Sequence, residues 1–169
     1  NGLPGFFFVG QTLQLNKIDE ILEIGFDAVN HCHRLDNYFQ YNRSSVFITR
    51  TINALRKIFK LPFIIPYRKA IKNSVFKEDY LETVFPTMMP NWDHTPRSGY
   101  GGTVLHNATP DLFEKHASKV LATVLNKQNK VVFLKSWNEW GEGNYMEPDL
   151  KYGRGFINAL KNAIMETIG

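Results

Sequence analysis

The sequence predicts an α/β fold in which parallel strands alternate with helices, as in a (β/α)8 TIM-type barrel. Short apolar runs of strand length alternate with segments whose apolar residues recur at helical spacing. This order favours parallel strands joined by crossover helices. The runs are apolar at nearly every position, as is typical of parallel strands buried on both faces. Four or five such units make about half of an eight-unit barrel, which typically needs about 250 residues.

An open, doubly wound sheet is the alternative fold for the same order of elements. It is disfavoured because no glycine-rich nucleotide-binding turn follows the first apolar run, Phe6–Val9. No repeat or linker divides the sequence, so we expect one domain over residues 1–169. The chain begins without Met and close to an apolar run, so we expect it to be a fragment of a longer domain. Half a barrel would expose sheet edges, which predicts pairing with the missing half or with a second copy.

Four apolar runs are predicted to be strands. They are runs of strand length, and helix signals lie between them. A fifth stretch, Phe63–Tyr67, is either a strand or an extended loop. The four predicted strands are Phe6–Val9, Phe26–His31, Val84–Met89 and Val131–Trp137.

The first two helices are predicted from local start and stop signals. Ile18, Ile21 and Leu22 have helical spacing, and Gly25 follows them as a stop. Ser44 or Ser45 can cap the second helix, which ends before Pro62 because the residue before a proline avoids the helical region. The apolar face of that second helix is Ile48, Ile52, Leu55 and Phe59.

Two longer helices are predicted in the C-terminal half of the chain. One begins at Thr109–Pro110, because threonine suits the N-cap and proline suits the first helical position. Each helix carries one apolar stripe. The stripe residues are Leu112, Phe113, Ala117, Val120, Leu121, Val124 and Leu125 in the first, and Phe156, Ile157, Leu160, Ala163 and Ile164 in the second.

Composition excludes several classes of protein. A hydrophobic fraction of 43% with a net charge of only +4 excludes a disordered chain. No apolar run approaches the roughly 20 residues of a membrane-spanning helix. The single cysteine, Cys32, excludes an intrachain disulfide and fits a reducing compartment, so we expect a cytoplasmic protein, with membrane association as an alternative.

The basic residues are unevenly distributed. The segment from Arg43 to Lys77 contains no acidic residue, and its simplest interpretation is a solvated basic face. Contact with a phosphate-bearing substrate, peripheral contact with an anionic membrane, and nucleic-acid binding are the alternatives, the last of them the weakest. The nine basic residues are Arg43, Arg50, Arg56, Lys57, Lys60, Arg68, Lys69, Lys72 and Lys77.

Polar and aromatic residues crowd the end of the last predicted strand, at Trp137-Asn138-Glu139-Trp140-Gly141-Glu142-Gly143. The C-terminal ends of strands form the catalytic face of a barrel. Glu139 and Glu142 can converge only if the chain turns between them, and the two glycines permit such a turn. Two nearby carboxylates can hold different protonation states, which is what cleavage of a glycosidic bond requires. A solvated surface loop with two unrelated glutamates is the alternative.

The neighbouring side chains suit a sugar. Trp137 and Trp140 offer flat apolar surfaces on which the C–H face of a sugar ring can stack, and Asn138 offers hydrogen bonds to a hydroxyl. A site of this kind needs no metal and no organic cofactor.

Three motifs resemble a known family. Residues 137–149, Trp-Asn-Glu-Trp-Gly-Glu-Gly-Asn-Tyr-Met-Glu-Pro-Asp, resemble the signature of the WbsX-type glycosyltransferases, a family similar to glycoside hydrolase family 99, the endo-mannosidase group. Residues 90–97, Pro-Asn-Trp-Asp-His-Thr-Pro-Arg, and residues 25–28, Gly-Phe-Asp-Ala, resemble two further motifs. The resemblance implies a (β/α)8 barrel of which this chain is the C-terminal part. It also implies a role in assembling bacterial surface polysaccharide such as lipopolysaccharide.

The resemblance also implies catalytic roles. In the hydrolase relatives, the carboxylate matching Glu139 deprotonates the 2-hydroxyl of the sugar, and the one matching Glu142 acts as general acid and then as base. The hydrolases have histidine where this chain has Gly141. Transfer and hydrolysis both stay open, with an oligosaccharide or polysaccharide substrate, or a nucleotide- or lipid-linked sugar.

Further candidates lie near predicted strand ends. Trp92, Asp93 and Arg97 follow Val84–Met89, where the acidic and basic side chains bind sugar hydroxyls or pair with each other. His31 and His33 follow the second strand; sugar binding and an ordinary structural role both fit better than a metal site, since no third ligand has diagnostic spacing. Downstream of the paired glutamates, Tyr145 and Glu147 are also predicted to line the pocket, while for Glu147 and its neighbour Asp149 a loop-capping role is the alternative.

Three functions remain to be distinguished. The first is an enzyme acting at a glycosidic bond through Glu139 and Glu142. The second is a glycan-binding domain without catalytic activity, which would keep the tryptophans but lose nothing on Glu142→Gln. The third is a nucleic-acid or membrane binder, whose affinity would collapse with added salt.

Overall fold

A computed structural model of the chain describes residues 5–32 and 54–168. His33, the serines proposed as a helix cap and most of the second predicted helix lie outside these ranges, as does the start of the basic segment. In the described residues, no helix is long and apolar enough to cross a membrane.

Four parallel strands form the main sheet. They are β1 (Val9–Thr12), β2 (Ala28–His31), β4 (Val84–Met88) and β6 (Phe133–Leu134), and they lie side by side in that order. All three pairings are parallel, with Val9 opposite Ala28, Val29 opposite Val84 and Thr87 opposite Phe133. Helices cover one face of this sheet, so the chain forms part of a (β/α) barrel, as the sequence predicts.

The two faces of the main sheet differ in chemistry. Val29 and Val84 point toward the helix α1 (Ile18–Glu23) and pack against Ile18. On the opposite face Asn30 donates to Thr87 Oγ1 at 2.8 Å and accepts from Gln11 at 3.1 Å. Alternation of side chains along each strand produces this division, and the barrel interior is the face that carries the polar row.

The larger core lies between the sheet and the two C-terminal helices, α4 (Pro110–Ala122) and α5 (Gly155–Ile168). Phe113 and Phe156 pack edge to face, 5.8 Å between ring centroids, and both are buried. Thr109 caps α4 by accepting a hydrogen bond from the Leu112 amide, as predicted. The predicted apolar stripes are therefore the faces on which the helices pack.

A second parallel pair stands apart from the main sheet. It consists of β3 (Phe63–Pro66) and β5 (Thr103–His106). The fifth apolar stretch is thus a strand, while β5 was missed because its four residues follow two glycines and mix polar with apolar side chains. Two short helices, α2 (Tyr67–Ala70) and α3 (Thr95–Ser98), flank this pair.

The boundaries of two predicted strands are wrong. The first strand begins at Val9, and Phe6, Phe7 and Phe8 precede it with exposed side chains. The last predicted strand, Val131–Trp137, is paired only at Phe133–Leu134. Hydrophobicity indicates which segments suit a sheet, but the neighbouring strand decides where the hydrogen-bonded ladder begins and ends.

The exposed carboxylate of Glu82 fixes the turn after α4. It accepts hydrogen bonds from the amides of Gln128, at 3.1 Å, and Asn129, at 3.0 Å. The Asn129 bond is the main reason that the pKa of Glu82 lies below its ordinary value of 4.5.

We expect the free energy of unfolding of Glu82→Gln to fall less than that of the wild type as the pH is lowered from neutral to acid. The folded pKa is lowered, so the wild-type contribution is complete above pH 4.5 and is lost as pH falls through the folded pKa. Chemical unfolding at neutral and acid pH measures this. A variant whose stability falls with acid as steeply as that of the wild type would contradict the assignment, and Glu166→Gln, on an exposed part of α5, is the control.

Candidate active site

The Trp-Asn-Glu-Trp motif forms a hairpin at the C-terminal end of β6. Its strands are β7 (Asn138–Glu139) and β8 (Asn144–Tyr145), joined by a 3-10 turn, Trp140–Glu142. They pair antiparallel, with Asn138 opposite Tyr145 and Glu139 opposite Asn144. The reversal predicted between the two glutamates is therefore present.

Gly143 makes the reversal possible. It adopts the left-handed conformation, with φ 50° and ψ 35°, which side chains rarely tolerate. A Cβ atom at this position would also lie only 2.8 Å from Cβ of Asp93. Gly141 has neither a positive φ nor a close backbone neighbour, so of the two glycines only Gly143 is required by the backbone geometry.

Glu142 lies at the tip of the turn between two side chains that can be cationic. Its Oε1 atom is 2.5 Å from Nη1 of Arg97 and 3.4 Å from Nε2 of His94. The Glu142 side chain is 13% exposed and that of Arg97 is 61% exposed. The carboxylate is thus shielded by its neighbours, while the guanidinium that pairs with it faces solvent.

Of the two alternatives for Asp93 and Arg97, sugar binding or pairing with each other, the pairing is wrong, because each side chain makes a separate interaction. Asp93 Oδ1 accepts from the Thr95 amide at 2.9 Å and from its hydroxyl at 2.6 Å, and so binds the first residue of α3. Its own amide donates to the Glu142 carbonyl at 2.9 Å. Asp93 therefore stabilises the Glu142 turn through its backbone amide, and Arg97 pairs with the Glu142 side chain instead of with Asp93.

Trp140 and Tyr145 form a stacked pair on the hairpin. Their ring centroids are 3.8 Å apart and the ring planes differ by 12°. The indole N–H of Trp140 donates to Glu147 at 2.6 Å, and the Tyr145 hydroxyl donates to Asp149 at 3.1 Å. Burial, followed by the hydrogen bond to Asp149, raises the pKa of Tyr145. Two carboxylates thus orient an aromatic platform of which Trp140 remains 47% exposed.

The remaining motif residues face solvent or border the platform. Trp137 is 50% exposed, and Asn138 and Glu139 are also exposed. Trp92 is partly buried, and its ring receives the ammonium group of Lys135 at 5.3 Å. Exposed aromatic faces beside carboxylates are suited to hydrogen bonding and stacking with a sugar.

His31 lies elsewhere. Its side chain is fully buried at the end of β2, with Nδ1 3.4 Å from Asp79, and it points to the helix-covered side of the sheet. This position fits the structural interpretation of His31 better than contact with a polymer substrate. His33 lies outside the described residues. Within the described ranges, no three His, Cys, Asp or Glu side chains group as a metal site would require.

Sequence reasoning missed two asparagines. Asn91 and Asn144 join the hairpin to the loop after β4 through three hydrogen bonds between side-chain amides and backbone, and a fourth joins Asn144 to the Lys135 carbonyl after β6. Both lie within motifs that the sequence analysis singled out, but an asparagine carries no local signal that separates a buried clamp from a solvated loop.

Comparisons with known proteins agree on the family. The family model described as Glycosyltransferase WbsX matches residues 1–160. Two strains of Xanthomonas campestris pv. campestris contain a protein named uncharacterized protein WxcX that is 29% identical over 85 residues, 48% of this chain and 12% of that protein.

A solved structure supports the fold. The GH99 endo-α-mannosidase from Bacteroides thetaiotaomicron, in complex with bis-tris-propane, superposes with a TM-score of 0.53 at 16% sequence identity. The match covers 97% of this chain and 47% of the mannosidase chain, so the chain spans about half of that protein. With its family model matched over nearly the whole sequence, the chain belongs to the WbsX glycosyltransferase family.

Proposed function

We propose that the chain carries the acid–base site of an enzyme acting at a glycosidic bond of an oligosaccharide or polysaccharide. The observation that carries the proposal is the position of Glu142, a shielded carboxylate at a hairpin tip bonded to Arg97 and facing His94. A carboxylate held among polar side chains beside exposed tryptophans meets the requirements of glycosidic bond chemistry.

Glu142 is the proposed proton donor and acceptor, and Glu139 the partner base. The hydrogen bond from Arg97 occupies Oε1 of Glu142, so the guanidinium must withdraw before that oxygen can approach a glycosidic oxygen. Arg97 is exposed on its outer side and is free to do so when a sugar enters. One role of the substrate is therefore to replace this ion pair with its own glycosidic oxygen.

The exposed face of Trp140 is the proposed stacking surface for a sugar ring. Tyr145 stacks on the indole ring of Trp140 and Glu147 accepts its N–H, so these two residues hold the indole in place. Trp137 and Asn138 extend the surface along the hairpin. Trp92, Asp93 and Arg97 form the opposite border. Because no metal enters this scheme, activity should survive a chelator.

The reaction is either transfer of a sugar or hydrolysis of a glycosidic bond, and the name of the family favours transfer. The test uses the full-length protein with nucleotide sugars and mannose-containing glycans side by side. Release of the nucleotide indicates transfer from a nucleotide-linked sugar, and new reducing ends indicate hydrolysis. If neither appears with any donor or glycan while glycan binding persists, the alternative of an inactive glycan-binding domain replaces this proposal.

We further propose that the barrel is completed by polypeptide outside this chain, either its N-terminal half or a second copy. The support is that β1 and β6 are edge strands of the described sheet and that Phe7 and Phe133 are exposed on its interior face. A stable, monodisperse monomer of residues 1–169 would contradict this.

A cytoplasmic location, with peripheral membrane contact through the basic segment, remains a proposal.

A further inference from the structure

Asn91 binds the backbone of the hairpin as a neighbouring strand would. Its Nδ2 atom donates to the Tyr145 carbonyl at 3.1 Å, and its Oδ1 accepts from the Tyr145 amide at 2.8 Å. The other edge of β8 faces β7. There the amide of Met146, the residue after β8, donates to the Trp137 carbonyl at 2.8 Å. The strand β8 is therefore held on both sides, once by backbone and once by a side-chain amide.

Asn144 connects three segments from a fully buried position. Its Nδ2 atom donates to the carbonyl of Asn91 at 2.6 Å and to the carbonyl of Lys135 at 3.0 Å. Both partners are carbonyl oxygens, which can only accept, so the nitrogen of the amide must face them. The loop after β4, the end of β6 and the hairpin meet at this one side chain.

The loop that carries Asn91 is itself anchored. The Leu105 amide donates to the Trp92 carbonyl at 2.8 Å, and the His94 amide donates to the Thr103 carbonyl at 3.0 Å. These bonds fasten the loop to β5 on the side away from the hairpin. A rigid support therefore runs from the β3–β5 pair through the loop to the turn that bears Glu142.

We propose that Asn91 and Asn144 are positioning residues that fix the Glu142 turn against this support. We call the hydrogen bonds of Asn91 and Asn144 the clamp. The inference rests on the proposed function, because it assigns the clamp a role in placing the Glu142 carboxylate. Both asparagines bond backbone atoms: Asn91 bonds the amide and carbonyl of Tyr145, and Asn144 bonds the carbonyls of Asn91 and Lys135. Their effect is to hold Glu142 and the Trp140–Tyr145 platform in one geometry, and misplacement by about 1 Å can cost a catalyst about 100-fold in rate.

Two variants remove the clamp in different ways. Asn144→Asp keeps the shape but replaces the donor with an oxygen that faces two carbonyl oxygens. Asn91→Ala, at a partly buried position, removes both bonds to Tyr145 and is the milder change, so it decides the outcome if Asn144→Asp fails to fold. Asn158, exposed on α5, provides matched Asp and Ala controls.

The first measurement, on the full-length protein, is hydrogen exchange of the peptide spanning the hairpin. In wild type the Tyr145 amide should be protected, and in Asn91→Ala it should exchange about tenfold faster, as expected for a lost side chain–backbone bond. Exchange in α4 should not change. Equal protection of the Tyr145 amide in wild type and variant would overturn the clamp.

The second measurement is turnover of the same proteins. We expect kcat to fall about 100-fold while KM changes only a few-fold, because the aromatic surface is kept and the carboxylate is displaced. Faster exchange with unchanged kcat would overturn the positioning role. If the wild type itself turns over no glycan or donor, the proposed function fails, and the exchange rates alone decide whether the asparagines hold the hairpin.

Discussion

Glu142→Gln should reduce turnover of the full-length protein by about 10²- to 10⁴-fold, the usual contribution of a general acid or base. The substitution keeps the size of the side chain and leaves an oxygen that can still accept from Arg97, so the fold and the hairpin should persist. KM should change little, since Trp137 and Trp140 remain. Initial rates at saturating and limiting substrate separate the two effects.

Two comparisons make this result specific. Glu139→Gln should also lower kcat, whereas Glu166→Gln, on an exposed part of α5, should leave it unchanged. An unchanged rate in Glu142→Gln would exclude the paired-glutamate site. If the wild type binds glycan without turnover and Glu142→Gln binds equally well, the chain is a binding domain.

Gly143→Ala should destabilise the protein by about 2–5 kcal/mol and abolish most of its activity. An alanine in the left-handed conformation costs about 1–2 kcal/mol, and forcing a methyl group against a packed neighbour costs about 1–3 kcal/mol. Here that neighbour is Asp93, whose Cβ would lie 2.8 Å away and whose amide bonds the Glu142 carbonyl. Denaturant unfolding gives the free energy, and initial rates give the loss of activity.

Gly153→Ala is the control that separates the two costs. Gly153 has a similar φ of +54°, but a Cβ there would meet nothing within 4 Å, so only the backbone cost of about 1–2 kcal/mol is expected. Activity should be unaffected. If Gly143→Ala is no more harmful than Gly153→Ala, the close approach of Asp93 does not define the turn.

The order of elements could be predicted because it follows from local patterns. Thr109 and Pro110 begin α4 through chemistry confined to a few residues, and short, mainly apolar runs are enough to mark β2 and β4. The ends of β1 and β6 were wrong because pairing depends on a partner strand distant in sequence. The strand β5 was also hard to predict because its partner strand in the sheet, β3, lies about 40 residues earlier.

The site was predictable in its composition but not in its contacts. The motif at residues 137–143 predicts a site for sugar chemistry, because two glutamates, two tryptophans and two glycines occur together at a strand end. The pairing of Arg97 with Glu142 joins residues 45 positions apart, and no spacing rule links them. The same is true of Asn91 and Tyr145, whose hydrogen bonds span 54 positions.

The sequence by itself determined the α/β class, the start of α4, the family and the location of the candidate site, because each rests on short-range patterns or motifs. Only the tertiary structure decided which face of the sheet is polar, that His31 is buried, and that Arg97, His94 and Asp93 surround the Glu142 turn. These facts depend on how distant segments pack. A hydrogen bond between residues far apart in the chain exists only when the whole fold brings its donor and acceptor together.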